Sequence, residues 1–166
     1  MKILQITPSY YPSIGGLQEH VRNISERMAG ENQVTVFTGD SSGKLHGEEE
    51  INGVLVKRFH SFSPNNAYHL SLDMLKELRR SEFDVVHGHS YHALPLYFSR
   101  YARRKKFIIT PHYHGHGHTP FRDVLFKLYK LSARGYSLMR ISLFQSQIMR
   151  GNFWCTILAR RKAKSG

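Results

Sequence analysis

A chain of 166 residues that is 40% apolar, with ten Phe and nine Tyr, can bury the core of one compact domain, which excludes a disordered or fibrous protein. A single cysteine, Cys155, excludes an internal disulfide framework and favours a reducing, cytoplasmic setting. The first apolar segment is too short for a signal peptide, and no apolar run reaches membrane-spanning length.

The net charge of +12 at pH 7 is unevenly distributed. All Asp and Glu residues lie at or before Asp123, whereas the residues after it include nine Lys and Arg. Because much of the excess charge lies in this tail, it does not require a nucleic-acid surface. No RNA-recognition, zinc-finger or helix-turn-helix pattern is present. We therefore expect no nucleic-acid partner.

The first half of the chain predicts a strand, a Pro-rich loop, a Gly-Gly pair and a helix, followed by two more strands. The strands are predicted at residues 3–6, 33–38 and 54–59. The helix, at residues 17–29, has one apolar face formed by Leu17, Val21, Ile24 and Met28, and Gly30 ends it. Residues 41–50 are predicted as a solvated polar loop, and Asn52-Gly53 as a tight turn.

The second half continues the alternation. Helices are predicted at residues 67–80, 93–103 and 120–131, and strands at residues 84–87 and 106–110. The inner side of the helix at 67–80 is formed by Leu70, Met74, Leu75 and Leu78. Alternating strands and helices imply right-handed crossovers and a mostly parallel sheet covered on both faces. The prediction is a Rossmann-like, three-layer α/β/α domain. Ligands bind such sheets at the strands' carboxyl ends, at loops 7–16, 87–92 and 111–119 here.

Gly15-Gly16 precedes the first predicted helix, where free backbone N–H groups and the helix dipole favour an anion. The pair is consistent with a phosphate site or with a plain turn, since the G-x-G-x-x-G pattern is absent. Glu19 and His20 follow in the first helical turn. They either face the same cleft or form an exposed pair.

Seven of the eleven histidines occupy two of these loops, in DVVHGHSYH and TPHYHGHGH. A metal site is one interpretation, but carboxylate and thiolate ligands are missing, so we expect no physiological metal. The alternative is that one histidine per loop donates a hydrogen bond to a sugar hydroxyl or a phosphate. His112 is the best candidate because it follows Thr110-Pro111 at the carboxyl end of a strand, where the sheet fixes the backbone, and His89 is a weaker one. His114, His116 and His118 lie further out.

The segments PSYYPSIGGLQEHV, DVVHGHS and TPHYHGH, in this order, resemble the N-terminal domain of the retaining glycosyltransferases of family 4, which have the two-domain GT-B fold. The resemblance covers about residues 1–131. In that family the N-terminal domain mainly binds the acceptor, and the C-terminal domain binds the nucleotide sugar, a co-substrate. No metal or other cofactor is needed.

The resemblance also implies roles for individual residues. The glycine loop, Gly15 and Gly16, would approach the donor diphosphate, and His112 would approach the transferred sugar as the catalytic-site histidine. Glu19, His20 and His89 are further cleft residues. The nucleotide sugar and a glycosyl acceptor would be the ligands.

The tail departs from the family pattern after residue 135, so we divide the chain into a transferase domain, 1–135, and a basic tail, 136–166. A frameshift, a truncated gene, a disordered segment and an ordinary terminal helix all fit this tail. Its Phe153 and Trp154 beside Arg160 and Arg161 make an anionic membrane surface a candidate partner. With the C-terminal domain missing, we expect an inactive chain that needs a donor domain or a partner subunit. A non-catalytic sugar- or phosphate-binding module is the alternative.

Overall fold

The computed structural model describes residues 1–64, 68–90, 93–110, 112, 141–143 and 157–160. These residues form eight strands and three helices. In chain order they are β1 (Lys2–Thr7), α1 (Gly16–Ala29), β2 (Gln33–Asp40), β3 (Glu48–Ile51), β4 (Val54–His60), α2 (Leu72–Arg80), β5 (Glu82–His89), α3 (Leu94–Ser99), β6 (Arg103–Thr110), β7 (Ile141–Leu143) and β8 (Ile157–Arg160).

The strands form one mixed sheet in the order β3-β4-β2-β1-β5-β6-β8-β7. The five strands β4-β2-β1-β5-β6 are mutually parallel, and β3, β7 and β8 pair antiparallel at the two sides. Strand β1 therefore lies between β2 and β5, with neighbours on both edges. This arrangement confirms the predicted Rossmann-like sheet.

Helix α1 covers one face of the sheet, and α2 and α3 cover the other. On the α1 side the buried core contains Ile3, Tyr10, Val21, Val34, Val36, Val54 and Val56. On the opposite side it contains Leu4, Ile6, Phe37, Met74, Leu78, Val86, Leu96, Ala102, Phe107 and Ile109. Since neighbouring strand residues point to opposite faces, Ile3 and Leu4 belong to different cores, and the three-layer prediction is confirmed.

The acidic run at 48–50 is a strand, not the solvated loop that the sequence predicts. Asn52 and Gly53 have φ of 49° and 79°, the two positive values that a tight hairpin turn requires, and the turn folds β3 back along β4. Opposite charges across the hairpin favour this pairing. Lys57 Nζ lies 3.1 Å from Glu48 Oε2, and Arg58 pairs with Glu49.

Two predicted helices are too long. Helix α2 begins after Ser71, whose Oγ accepts a hydrogen bond from Met74 N at 3.3 Å, and Leu70 instead pairs with Phe62 in an isolated bridge. Helix α3 ends at Ser99 because Arg103 already pairs with Glu82 in the sheet. Strand β5 is correspondingly longer than predicted and includes His89.

The predicted helix at 120–131, the domain boundary at 135 and most of the tail lie outside the described residues. None of the helices in the described part of the chain is long and apolar enough to cross a membrane.

Gly88, in β5, gives a direct test of this packing. A Cβ atom there would overlap Leu96 Cδ1, and Leu96 is a buried residue of α3 that packs into the core. We expect Gly88→Ala to lower the free energy of unfolding by about 1–3 kcal/mol, measured by urea denaturation. Gly47→Ala is the matched control, since a Cβ at Gly47 would meet nothing within 4 Å. Equal stability of the two variants would contradict the position of α3.

Candidate functional site

The α1 face of the sheet changes from apolar to polar towards the carboxyl ends of the central strands. Ile3 and Val85 pair across β1 and β5 and contribute to the apolar core on this side. Two residues further along, Gln5 pairs with His87, and both side chains are buried. His89 follows on the same face and is fully buried. Buried polar groups need hydrogen-bond partners, and in this cluster Gln5 Oε1 has one, whereas the buried Gln5 Nε2 lacks one among the described residues.

His89 is at the centre of this cluster. Its Nε2–H donates to Gln5 Oε1 at 2.7 Å, so the neutral ring carries its lone pair on Nδ1. His112 Nε2–H donates to that Nδ1 at 3.2 Å. One imidazole thus connects β1 and β5 to His112, two residues after the end of β6. Beside it, His87 Nε2 is hydrogen-bonded to Thr110 Oγ1 at 2.8 Å.

His20 brings the start of α1 against this cluster. Its ring centroid lies 5.1 Å from that of His112 and 5.9 Å from that of His89, in edge-to-face arrangements. His20 is half-buried, whereas His89 and His112 are buried. The structure therefore brings together three of the histidines that the sequence singles out, from three different elements.

Burial favours the neutral form of His20, His87 and His89 because it lowers the pKa of each ring. Desolvation is the main cause that lowers the pKa of His87 to about 3, with the neighbouring His20 and His112 adding to it. Desolvation also lowers the pKa of His89 far below its ordinary value, and His87, His112 and His20 contribute further. The pKa of His20 is lowered by burial as well. At neutral pH the rings can accept as well as donate hydrogen bonds.

The structure gives a steric reason for glycine at Gly15, whereas Gly16 is open, and neither residue has a positive φ that would require glycine. Gly15 is extended, with φ of 169°, and a Cβ there would lie 2.6 Å from Gln18 Oε1. Around Gly16, a Cβ would meet nothing within 4 Å. No side chain caps the start of α1, so an anion at the open surface beside Gly16 could accept hydrogen bonds from its first N–H groups.

The remaining predicted site residues are placed differently. Glu19 is exposed on α1, and its Oε1 accepts a hydrogen bond from Asn23 Nδ2 at 3.0 Å. His112 has φ of 46°, in the left-handed region, which an ordered surrounding must hold. His92 and the outer histidines, His114, His116 and His118, lie outside the described residues.

A pocket of about 550 Å³ lies beside this cluster's sheet edge, at the carboxyl ends of β2 and β4, and the loop at 9–14 also lines it. Tyr10 Oη and Thr38 Oγ1 are buried at this pocket and lack hydrogen-bond partners among the described residues. Burial is the main cause that raises the pKa of Tyr10 to about 12. Arg58 Nη2 donates to Tyr11 O at 2.7 Å and holds the loop against β4.

The sequence analysis missed Gln5, Thr110, Tyr10 and Thr38. Gln5 had a signal, because it is the one polar residue between Ile3 and Ile6 in an apolar strand. The other three gave none. Threonine and tyrosine are common in strands and loops of any function, so only the packed structure shows where they lie.

Comparison with known proteins decides the family. The model of Glycosyltransferase Family 4 matches residues 14–150, more than half of the chain. The chain belongs to glycosyltransferase family 4. The matched region contains the start of α1, β5 and His112, so the histidine cluster of this family 4 chain lies within it.

One similar protein is the GDP-mannose:cellobiosyl-diphosphopolyprenol alpha-mannosyltransferase of Xanthomonas oryzae pv. oryzae (strain PXO99A), 24% identical over 150 residues. The match covers 82% of this family 4 chain but only 39% of that protein. Among solved structures, the 16S rRNA methylase ArmA aligns over 96% of this chain and 74% of that chain, with a TM-score of 0.35 and 13% identity. A structural similarity this weak supports no inference.

Because the buried histidines are neutral in the folded state, we expect the free energy of unfolding to fall in mild acid. His20, His87 and His89 each have a lower pKa in the folded than in the unfolded state, so the unfolded chain binds the proton first and stability falls as the pH falls. The stabilisation is complete well above pH 6.5, and for His87 we expect a loss of about 2 kcal/mol in the free energy of unfolding between pH 8 and pH 5.

Denaturant unfolding across this range, in chelator-treated buffer, measures the slope of stability against pH. We expect His87→Asn to reduce the slope by about one proton. An unchanged slope in this variant would show that His87 is not held neutral by the fold.

Proposed function

We propose that this chain is the acceptor-side half of a retaining glycosyltransferase that moves a sugar from a nucleoside diphosphate to an acceptor. The observation that carries the proposal is the convergence of α1's uncapped start with His20, His89 and His112 at the carboxyl edge of a family 4 domain. Gly16 and His20 lie about one helical turn apart on α1, and the His20 ring contacts His89 and His112. A sugar diphosphate presents both of the matching groups.

The donor diphosphate is proposed to lie against Gly16, where no side chain blocks the approach. Negative charge develops on the leaving diphosphate as the glycosidic bond breaks. The N–H groups and dipole at the start of α1 are oriented to stabilise that charge, and this electrostatic contribution requires no metal. His112 is then placed to hydrogen-bond to the transferred sugar.

The acceptor is proposed to enter the pocket beside Tyr10 and Thr38. Their buried hydroxyl groups lack partners among the described residues, and a ligand with hydroxyl groups would satisfy them. The Xanthomonas relative is named for a sugar linked to diphosphopolyprenol. We propose an acceptor of this class, presented at the cytoplasmic surface of a membrane.

A second domain is proposed to hold the nucleotide, either on the same polypeptide or as a partner subunit. The chain spans 39% of the length of its mannosyltransferase relative, which supports this division of the site. The 166 residues alone are then expected to bind without turnover.

A fusion of the chain to the part of the Xanthomonas mannosyltransferase that it does not match tests the proposal. Radiolabelled GDP-mannose and a panel of diphosphoprenol-linked sugars are the substrates. We expect transfer by the fusion, none by the chain alone, and a loss of about 100-fold or more in His112→Ala, because one hydrogen bond to the reacting sugar is removed.

Gly16→Leu places a side chain in the proposed diphosphate position and is expected to abolish most transfer. Gly47→Leu, at another open glycine, is the control and should retain it. Turnover by the 166 residues alone would refute the need for a second domain. Full activity of both His112→Ala and Gly16→Leu would refute the proposed site.

A further inference from the structure

The histidine cluster has the geometry of a metal site. Ring nitrogens of His20, His89 and His112 lie within 4.8 Å of one another. His20 lies in α1, His89 in β5 and His112 two residues after β6, so the fold and not a single flexible loop brings them together. Neutral imidazole is a preferred ligand of Zn²⁺, Ni²⁺ and Cu²⁺.

Two of these nitrogens already have the separation that a tetrahedral ion requires. His89 Nδ1 and His112 Nε2 are 3.2 Å apart. Two nitrogen ligands of a tetrahedral Zn²⁺, at their usual bond lengths, are separated by roughly 3.3 Å. An ion would therefore replace the hydrogen bond between these rings with little movement of either, while the proton of His112 moves from Nε2 to Nδ1. His20 would have to approach by about 1–2 Å to reach the same spacing. His20 is half-buried, whereas the other two histidines are buried.

Gln5 supplies the outer contact that metal-binding histidines usually have. A ligating imidazole typically donates its other N–H to a carbonyl or carboxylate oxygen, which fixes the tautomer and the ring orientation. His89 Nε2–H donates to the fully buried Gln5 Oε1 at 2.7 Å, so its Nδ1 lone pair is directed towards His112. The buried amide thus prepares one ligand before any ion arrives.

We propose that His20, His89 and His112 bind one divalent cation of the Zn²⁺ class, with a fourth position open to water or a ligand oxygen. No carboxylate joins the cluster in the described part of the chain, which disfavours Mg²⁺ and Ca²⁺. The transfer proposed above needs no metal. Binding of the ion does not rest on the proposed function.

The test measures Zn²⁺ alone, without nucleotide or acceptor, so that its outcome is separate from that of the transferase proposal. The full chain is purified without metal-affinity resin, freed of metal with a chelator, and titrated against a zinc indicator. We expect one equivalent of Zn²⁺ and a rise in melting temperature on binding. With Co²⁺ we expect the intense visible absorption of a four-coordinate ion.

Variants locate the ion. His20→Asn, at a half-buried position, is expected to weaken Zn²⁺ binding at least about 100-fold, to remove the visible Co²⁺ band and to abolish the rise in melting temperature. His112→Asn should do the same if His20→Asn fails to fold. His60→Asn, at an exposed histidine outside the cluster, is the control. The triple change His114→Asn, His116→Asn and His118→Asn should leave binding intact.

Three results would overturn the site. They are the absence of stoichiometric Zn²⁺ binding, binding in both His20→Asn and His112→Asn equal to that of the parent chain, and loss of binding in the triple variant. The last result would place the ion in the outer histidine loop.

Discussion

A hydrogen bond from the His89 ring to the Gln5 amide joins β1 to β5 inside the sheet–helix interface, and the arrangement of the site depends on it. Both side chains are fully buried. A buried amide or imidazole without a partner would cost free energy, so each residue requires the other. The bond also leaves His89 Nδ1 as an acceptor, and this acceptor holds His112.

The parallel sheet explains why this polar cluster lies at the carboxyl edge. Near their amino ends, β1 and β5 face α1 with Ile3 and Val85, which form part of the apolar core. Towards their carboxyl ends, these strands face His20 and the uncapped first turn of α1, and their buried side chains on this face are polar. On this face, the buried side chains at the amino ends of β1 and β5 are apolar and those at the carboxyl ends are polar.

Much of this organisation could be predicted from the sequence. Apolar β-branched segments and the amphipathic face of α1 predict the sheet and its layers, because burial determines both patterns. The motifs also direct attention to Gly16, His89 and His112. The contact of His20 with two other histidines could not be predicted, because it depends on how α1 crosses the sheet. The strand β3 was missed since its three glutamates resemble a solvated loop until Arg58 and Lys57 lie opposite them.

The hydrogen bonds of His89 distinguish a preorganised histidine site from a solvated loop that happens to contain histidines. In a solvated loop the imidazoles would exchange protons and tautomers freely. In the described cluster, burial and Gln5 determine both the charge and the tautomer of His89.

Nuclear magnetic resonance of the ring nitrogens in a ¹⁵N-histidine-labelled, metal-free chain measures these two properties directly. The structure predicts that His89 remains neutral, with its proton on Nε2, from pH 8 to pH 5. A His89 ring that becomes protonated within this range, or that carries its proton on Nδ1, would contradict the hydrogen bonds from which the site is built.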